Sequence, residues 1–185
     1  MKHIEVEQKY ELADRSRLKS ALEALGAEPR PAVRQVDTYY NGAERDFLAS
    51  EVVSEWLRLR QSGRGDSINF KRWHPLDAVR KSHADEYESG VADLEAMRLM
   101  LDALGHTVMV VVDKTREEWT VPGRVEVAFD TVEGAGEFVE FEFKGDAVDA
   151  DDANAQLDAF VTALGVELGE RVHRGYPHML LGRDH

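Results

Sequence analysis

The sequence predicts an α+β domain dominated by antiparallel sheet, whose eight or so strands can close into a β-barrel with a charged interior and helices packed outside. Three observations lead there. Apolar and polar residues alternate with period two along about eight stretches, as half-buried strands do. The polar parity of those stretches is ionic rather than merely hydrophilic. Three further stretches carry helical spacing, and each closes on Ala-Leu-Gly.

The elements follow in order. In "IEVEQKYEL" (4–12), Ile4, Val6, Tyr10 and Leu12 share one parity and Glu5, Glu7, Lys9 and Glu11 the other. "DRSRLKSALEALGA" starts at Asp14 as a cap, puts Leu18, Ala21, Leu22 and Leu25 on one face, and stops at Gly26. "QVDTYYN", "SEWLRLRQ", "SINFKRW" and "DEYES" read as strands separated by Gly-rich or polar turns. "ADLEAMRLMLDALG" repeats the helical pattern with Leu94, Met97, Leu101 and Leu104. "TVMVVVDKTREEWTV" reads as two strands or one bent one, followed by the strands "GRVEVAFDTV" and "FVEFEFK". "DDANAQLDAFVTALG" is the third helix, with Leu157, Phe160, Val161 and Leu164 inward, and "YPHMLL" a short fourth.

A chain of 185 residues, 43% hydrophobic and 32% charged, suits a single folded domain over 1–185. Zero cysteines exclude disulfides, thiolate catalysis and Cys-based metal centres. The chain has no apolar run near the ~18 residues of a membrane span and no apolar leader, so a cytoplasmic location is expected. A net charge of −13 argues against nucleic acid or an anionic membrane as partner. A small anion remains open, provided the bases gather in one place.

The parity of the charges suggests that they do. Arg58 and Arg60 alternate with Leu57 and Leu59; Asn69 and Lys71 oppose Ile68 and Phe70; Lys114 and Arg116 share a parity. Glu86 flanks Tyr87 with Glu88, and Glu126, Ala128 and Asp130 oppose Val125, Val127 and Phe129. Glu140, Glu142 and Lys144 oppose Val139, Phe141 and Phe143. Any one of these strands is most simply part of a sheet with one wet face. Together they suggest more, because arginine suits bidentate contact with phosphate oxygens, which solvation does not require. If the strands close and the helices cover the apolar outside, the ionic parity points inward. Such an interior is costly to desolvate unless water or a ligand fills it, which makes it a binding cavity: acids for divalent cations, bases for a polyanion.

These residues resemble a known family. Glu5-x-Glu7-x-Lys9 resembles the ExExK signature of the CYTH superfamily, the triphosphate tunnel metalloenzymes, and is joined in order by "DTYYN", "WLRLR", "DKTREEW", "GAGEFVEFE" and "GYPHMLL". The resemblance covers nearly the whole chain and implies an eight-stranded tunnel. It implies a catalytic set of Glu5, Glu7, Asp130 and Glu140, with Glu5, Glu7, Asp130, Glu140 and Glu142 binding Mg²⁺ or Mn²⁺ and Glu126 as a further candidate. It implies that Lys9, Arg58, Arg60, Lys71, Lys114 and Arg116 grip the triphosphate.

The motifs look closest to the class IV adenylyl cyclase-like branch, which converts ATP to cyclic AMP and pyrophosphate. The alternative is a triphosphatase acting on inorganic triphosphate, thiamine triphosphate or a nucleoside triphosphate; a non-catalytic polyphosphate-binding module ranks below both. Members of the family also form dimers, so a homodimer is open. Two departures stand out: His3-Ile4 replaces the His-Phe of some cyclase members, and Gly175-Tyr176 replaces a C-terminal Ser-Tyr. For Glu86 and Glu88, pairing with Arg58 or Arg60 stands beside a ligand role, and Asp37 is expected to position a neighbouring base.

Overall fold

A computed structural model describes residues 3–50, 53–75 and 81–182, leaving aside the side chains of residues 3–5, 75 and 81–83. Alternation produces one long antiparallel sheet. Its strands are β1 (His3–Glu5), β2 (Glu7–Glu11), β3 (Glu28–Pro29), β4 (Val33–Asn41), β5 (Glu55–Ser62), β6 (Asp66–Pro75), β7 (Lys81–Val91), β8 (Thr107–Val121), β9 (Val125–Val132), β10 (Gly136–Phe143) and β11 (Arg171–Val172). The helices are α1 (Arg15–Ala24), α2 (Leu94–Ala103), α3 (Ala150–Ala163) and the short α4 (Tyr176–Leu180).

The ladder runs β1-β7-β6-β5-β4-β8-β9-β10-β2-β11, with β3 on β8, and curls into a half-barrel. Its eleven segments exceed the expected eight for two reasons: β3 and β11 are two-residue pairings, and the N-terminal stretch divides at Val6. The first part pairs with β7 (Glu5 opposite Ala84) and the second with β10 (Glu7 opposite Glu142). One short stretch of chain therefore touches both ends of the ladder. "TVMVVVDKTREEWTV" is one fifteen-residue strand. A register shift opposite Tyr39 and Tyr40 supplies its irregularity.

The helices begin and end where the sequence signals them. Asp14, Asp93 and Asp149 accept backbone N–H groups of Arg17, Ala96 and Asp152, satisfying donors that the first turn leaves open. The leucine of each Ala-Leu-Gly is the C-cap, and Gly26, Gly105 and Gly165 follow at φ of 73°, 86° and 61°. That position explains one departure from expectation: Leu25 and Leu104, placed on the inward faces by spacing, are 47% and 68% exposed. They lie past the last full turn, where the helical face no longer continues.

The outward parity of β2, β9 and β10 forms the main core, in which Val6, Val127, Phe129, Val139 and Phe141 meet Leu18 and Leu22 of α1 and Leu157 and Phe160 of α3. A smaller cluster under α2 joins Tyr40 and Leu59 to Leu101. A third lies partly on the inner face, where Trp56, Val112, Val132 and Phe138 pack with Tyr176 of α4. Helices thus cover the outer apolar face, and α4 with its neighbours caps part of the inner one. Among the described residues no helix is long and apolar enough to cross a membrane.

Candidate functional site

The concave face encloses a cavity of about 470 Å³. Nine of the chain's 23 lysines and arginines line it, against six of its 36 acids. In a chain of net charge −13, that inversion of sign is a concentration of bases at one place.

One wall comes from β4 to β7. Asp37 stands opposite Arg60 in the β4–β5 register and accepts both of its guanidinium bonds, at 2.6 and 2.7 Å. Arg58 lies 3.8 Å from the same carboxylate and 3.7 Å from Glu88. Lys71 is 3.9 Å from Glu86, which also accepts from the Asn69 amide at 2.5 Å. Burial pushes the Asp37 carboxyl upward, but the Arg60 bonds and the Arg58 charge outweigh it and bring the pKa to about 2. Asp37 is therefore a fixed anion that holds two arginines toward the cavity.

The opposite wall comes from β8, β9, β10 and β2. Arg116 bridges Asp130 and Glu140, and Lys9 reaches Glu140 at 3.0 Å. The Tyr176 hydroxyl donates to Asp130 at 2.7 Å, and Lys9 sits 3.9 Å from the centre of its ring. Lys114 completes the group, 3.6 Å from Asp130. Burial opposes ionisation of Glu140 and Asp130, yet their basic neighbours hold both below the usual carboxylate range. Burial and the adjacent Arg116 charge lower Lys114 to about 8 in spite of the acids around it. Burial, then Glu140 and Asp130, push the Tyr176 phenol well up.

At one edge of the cavity the acids are in excess. Glu7, Glu142 and Glu126 stand opposite one another on β2, β10 and β9. Burial, with the Glu7 and Glu126 charges, raises the Glu142 carboxyl despite its bond to Lys144. Oxygen donors with uncompensated negative charge fit a hard divalent cation. Among the described residues no three His, Asp or Glu side chains converge on one point as a ready-made cage; the side chain of Glu5 lies outside the described residues.

The cavity thus brings together Glu7, Lys9, Arg58, Arg60, Lys71, Lys114, Arg116, Glu140 and Glu142. Asp130 is placed differently, being fully buried behind the lining with its oxygens committed to Arg116, Lys114 and Tyr176. Glu86 and Glu88 face bases across the strands, as described above. Among the lining residues that escaped the sequence reading as candidates are Lys144, Asn69, Trp73, Arg171 and Arg174. Lys144 shares the parity of Glu140 and Glu142 and was legible there. Arg174 lies in the loop between β11 and α4, where no periodicity points to a face.

Fold and cavity together define a class of protein: a curled antiparallel sheet with helices outside and an ionic chamber within. The chain belongs to the CYTH domain family, whose model matches residues 3–176. A protein of Methanocaldococcus jannaschii named "putative adenylate cyclase" is 28% identical over 94% of this chain and 96% of its own length. The PH1819 protein of Pyrococcus horikoshii superposes with a TM-score of 0.76 at 27% identity, over 96% of this chain and 98% of that one. HpAC1 of Hippeastrum, described as a cyclase candidate with a dominant triphosphatase activity, superposes at 0.66 with 17% identity over 98% and 97% of the two chains.

Proposed function

We propose that this protein is a divalent-metal-dependent enzyme acting on a small-molecule triphosphate inside a closed eight-stranded tunnel. The carrying observation is the cavity's inversion of charge, with basic walls and an acidic edge in an acidic chain. Closure follows if residues 3–11 act as one strand bridging β7 and β10, which their split pairing supports.

In this reading Lys9, Arg58, Arg60, Lys71, Lys114 and Arg116 bind phosphate oxygens, and Glu5, Glu7, Glu140 and Glu142 hold Mg²⁺ or Mn²⁺. A cation held there would neutralise phosphate charge and lower the pKa of the attacking oxygen. Asp130, with no oxygen turned to the cavity, orients Arg116 and Lys114 instead of ligating. Asp37 does the same for Arg58 and Arg60. Phosphoryl and nucleotidyl transfer depend mostly on such positioning.

The adenylyl cyclase reading is favoured by the name attached to the M. jannaschii relative. There the ribose 3′-hydroxyl attacks the α-phosphorus and pyrophosphate leaves. The activity ascribed to HpAC1 favours a second reading, in which water attacks the terminal phosphorus and phosphate leaves. Both use the same walls and differ in which phosphorus faces the acidic edge.

The test is incubation with ATP, GTP, thiamine triphosphate and inorganic triphosphate, with Mg²⁺ or Mn²⁺ and products resolved. Cyclic AMP with pyrophosphate supports the cyclase, and free phosphate the hydrolase. Glu7→Gln is expected to abolish turnover while retaining the wild-type circular dichroism. No product from any substrate, or full turnover by the variant, overturns the assignment.

A further inference from the structure

The acidic edge of the chamber carries its own counter-ion. Glu7, Glu142 and Glu126 are cross-strand neighbours on three adjacent strands, the arrangement in which like charges repel most directly. Lys144 follows Glu142 by two residues and lies on the same face. Its Nζ is 2.5 Å from Glu142 Oε1 and 3.6 Å from Glu126. Its backbone N–H is anchored on the Arg124 carbonyl at 2.9 Å. The anchor fixes the root of the side chain, while the stem and ammonium line the cavity.

We propose that Lys144 is a tethered counter-ion that exchanges partners: it holds Glu142 and Glu126 until a divalent cation arrives, then turns its charge onto the phosphate oxygens of the substrate. This rests on the cation-dependent triphosphate reading above. A lysine suits the task because its ammonium is a point charge on a flexible four-carbon stem, whereas a guanidinium fork favours a fixed planar partner. The side chain is 32% exposed, so it moves without leaving a buried hole. Exchange makes the two ligands cooperative. Cation binding displaces the ammonium from its carboxylates, and a polyanion then receives it, so each ligand favours the other.

The test uses the full chain and Mn²⁺, followed by electron paramagnetic resonance of the free ion, with inorganic triphosphate as the anion. Without anion, Lys144→Gln is expected to bind Mn²⁺ about three- to tenfold more tightly than wild type. With saturating Mn²⁺, the same variant is expected to bind triphosphate about three- to tenfold more weakly. The signature of exchange is that Lys144→Gln weakens triphosphate binding more with Mn²⁺ bound than without it, whereas a lysine fixed beside both sites would weaken it equally in the two conditions. Glu142→Gln calibrates the cation site itself. If Glu142→Gln weakens Mn²⁺ binding but Lys144→Gln leaves it unchanged or weaker, the exchange is wrong and the cation site stands. If wild type and Lys144→Gln both fail to bind Mn²⁺, the exchange and the metal-dependent reading fall together.

Discussion

Lys114 is the residue whose charge is most finely balanced. Its side chain is 4% exposed, beside Arg116 and 3.6 Å from Asp130, and burial with the Arg116 charge brings its pKa down to about 8. Two consequences have opposite sign. Because the folded pKa lies below the unfolded 10.5, the unfolded chain holds more protons between pH 8 and 10.5. This group's contribution to stability therefore rises with pH across that window, the charged form being the costly one below it. Anion binding behaves the other way, since it needs the charge. Triphosphate affinity is expected to fall as pH climbs through about 8. Lys114→Arg, charged throughout, is expected to flatten that fall in a calorimetric pH series. A wild-type affinity constant from pH 7 to 9.5 would remove Lys114 from the binding wall.

Among the elements, helix ends and strand parity were plain in the sequence because both depend on neighbours in the chain. Asp14, Asp93 and Asp149 cap, and the glycine of each Ala-Leu-Gly turns left-handed, without reference to anything distant. What could not be read is which strands lie side by side. The sequence suggests Asp37 as the anchor of a base, but that it holds Arg58 and Arg60, and that Asp130 anchors Arg116 in the same way, is known only once β4 is set against β5 and β8 against β9. The split of the N-terminal stretch at Val6 likewise depends on two partners far along the chain. An element-level test follows from the third helix, whose Leu157 and Phe160 anchor it in the main core and whose Asp158 accepts from Gln8 of β2 at 2.8 Å. Gly165 ends it at φ +61°, with open space where a Cβ would go. Only conformational strain then opposes a side chain there, and Gly165→Ala is expected to cost about 1 kcal/mol in urea unfolding. A cost near zero would show that the helix end relaxes.

At the scale of the molecule, the chamber sets like charges from distant strands against one another. Arg58 and Arg60 on β5, Lys71 on β6, Lys114 and Arg116 on β8 and Lys9 on β2 converge, and their paired acids cancel the repulsion only in part. A polyanion bridging these strands is expected to bind the folded state alone, since the unfolded chain disperses the bases among its excess acids. Linkage then gives about 2.7 kcal/mol of stabilisation at a hundredfold excess over Kd. For a chain of this size that corresponds to a rise in Tm of roughly 5–10 °C. Inorganic triphosphate should produce it more strongly than phosphate, because only a chain of phosphates spans both walls. Raising the salt should erode it, since the partly exposed cavity charges are screened. The measurement is a thermal melt at fixed pH with triphosphate, pyrophosphate and phosphate in turn, at low and moderate ionic strength. Equal shifts from all three anions would indicate one local anion site, and no shift at all would mean that the bases are satisfied by their own carboxylates and the chamber is not a polyanion site.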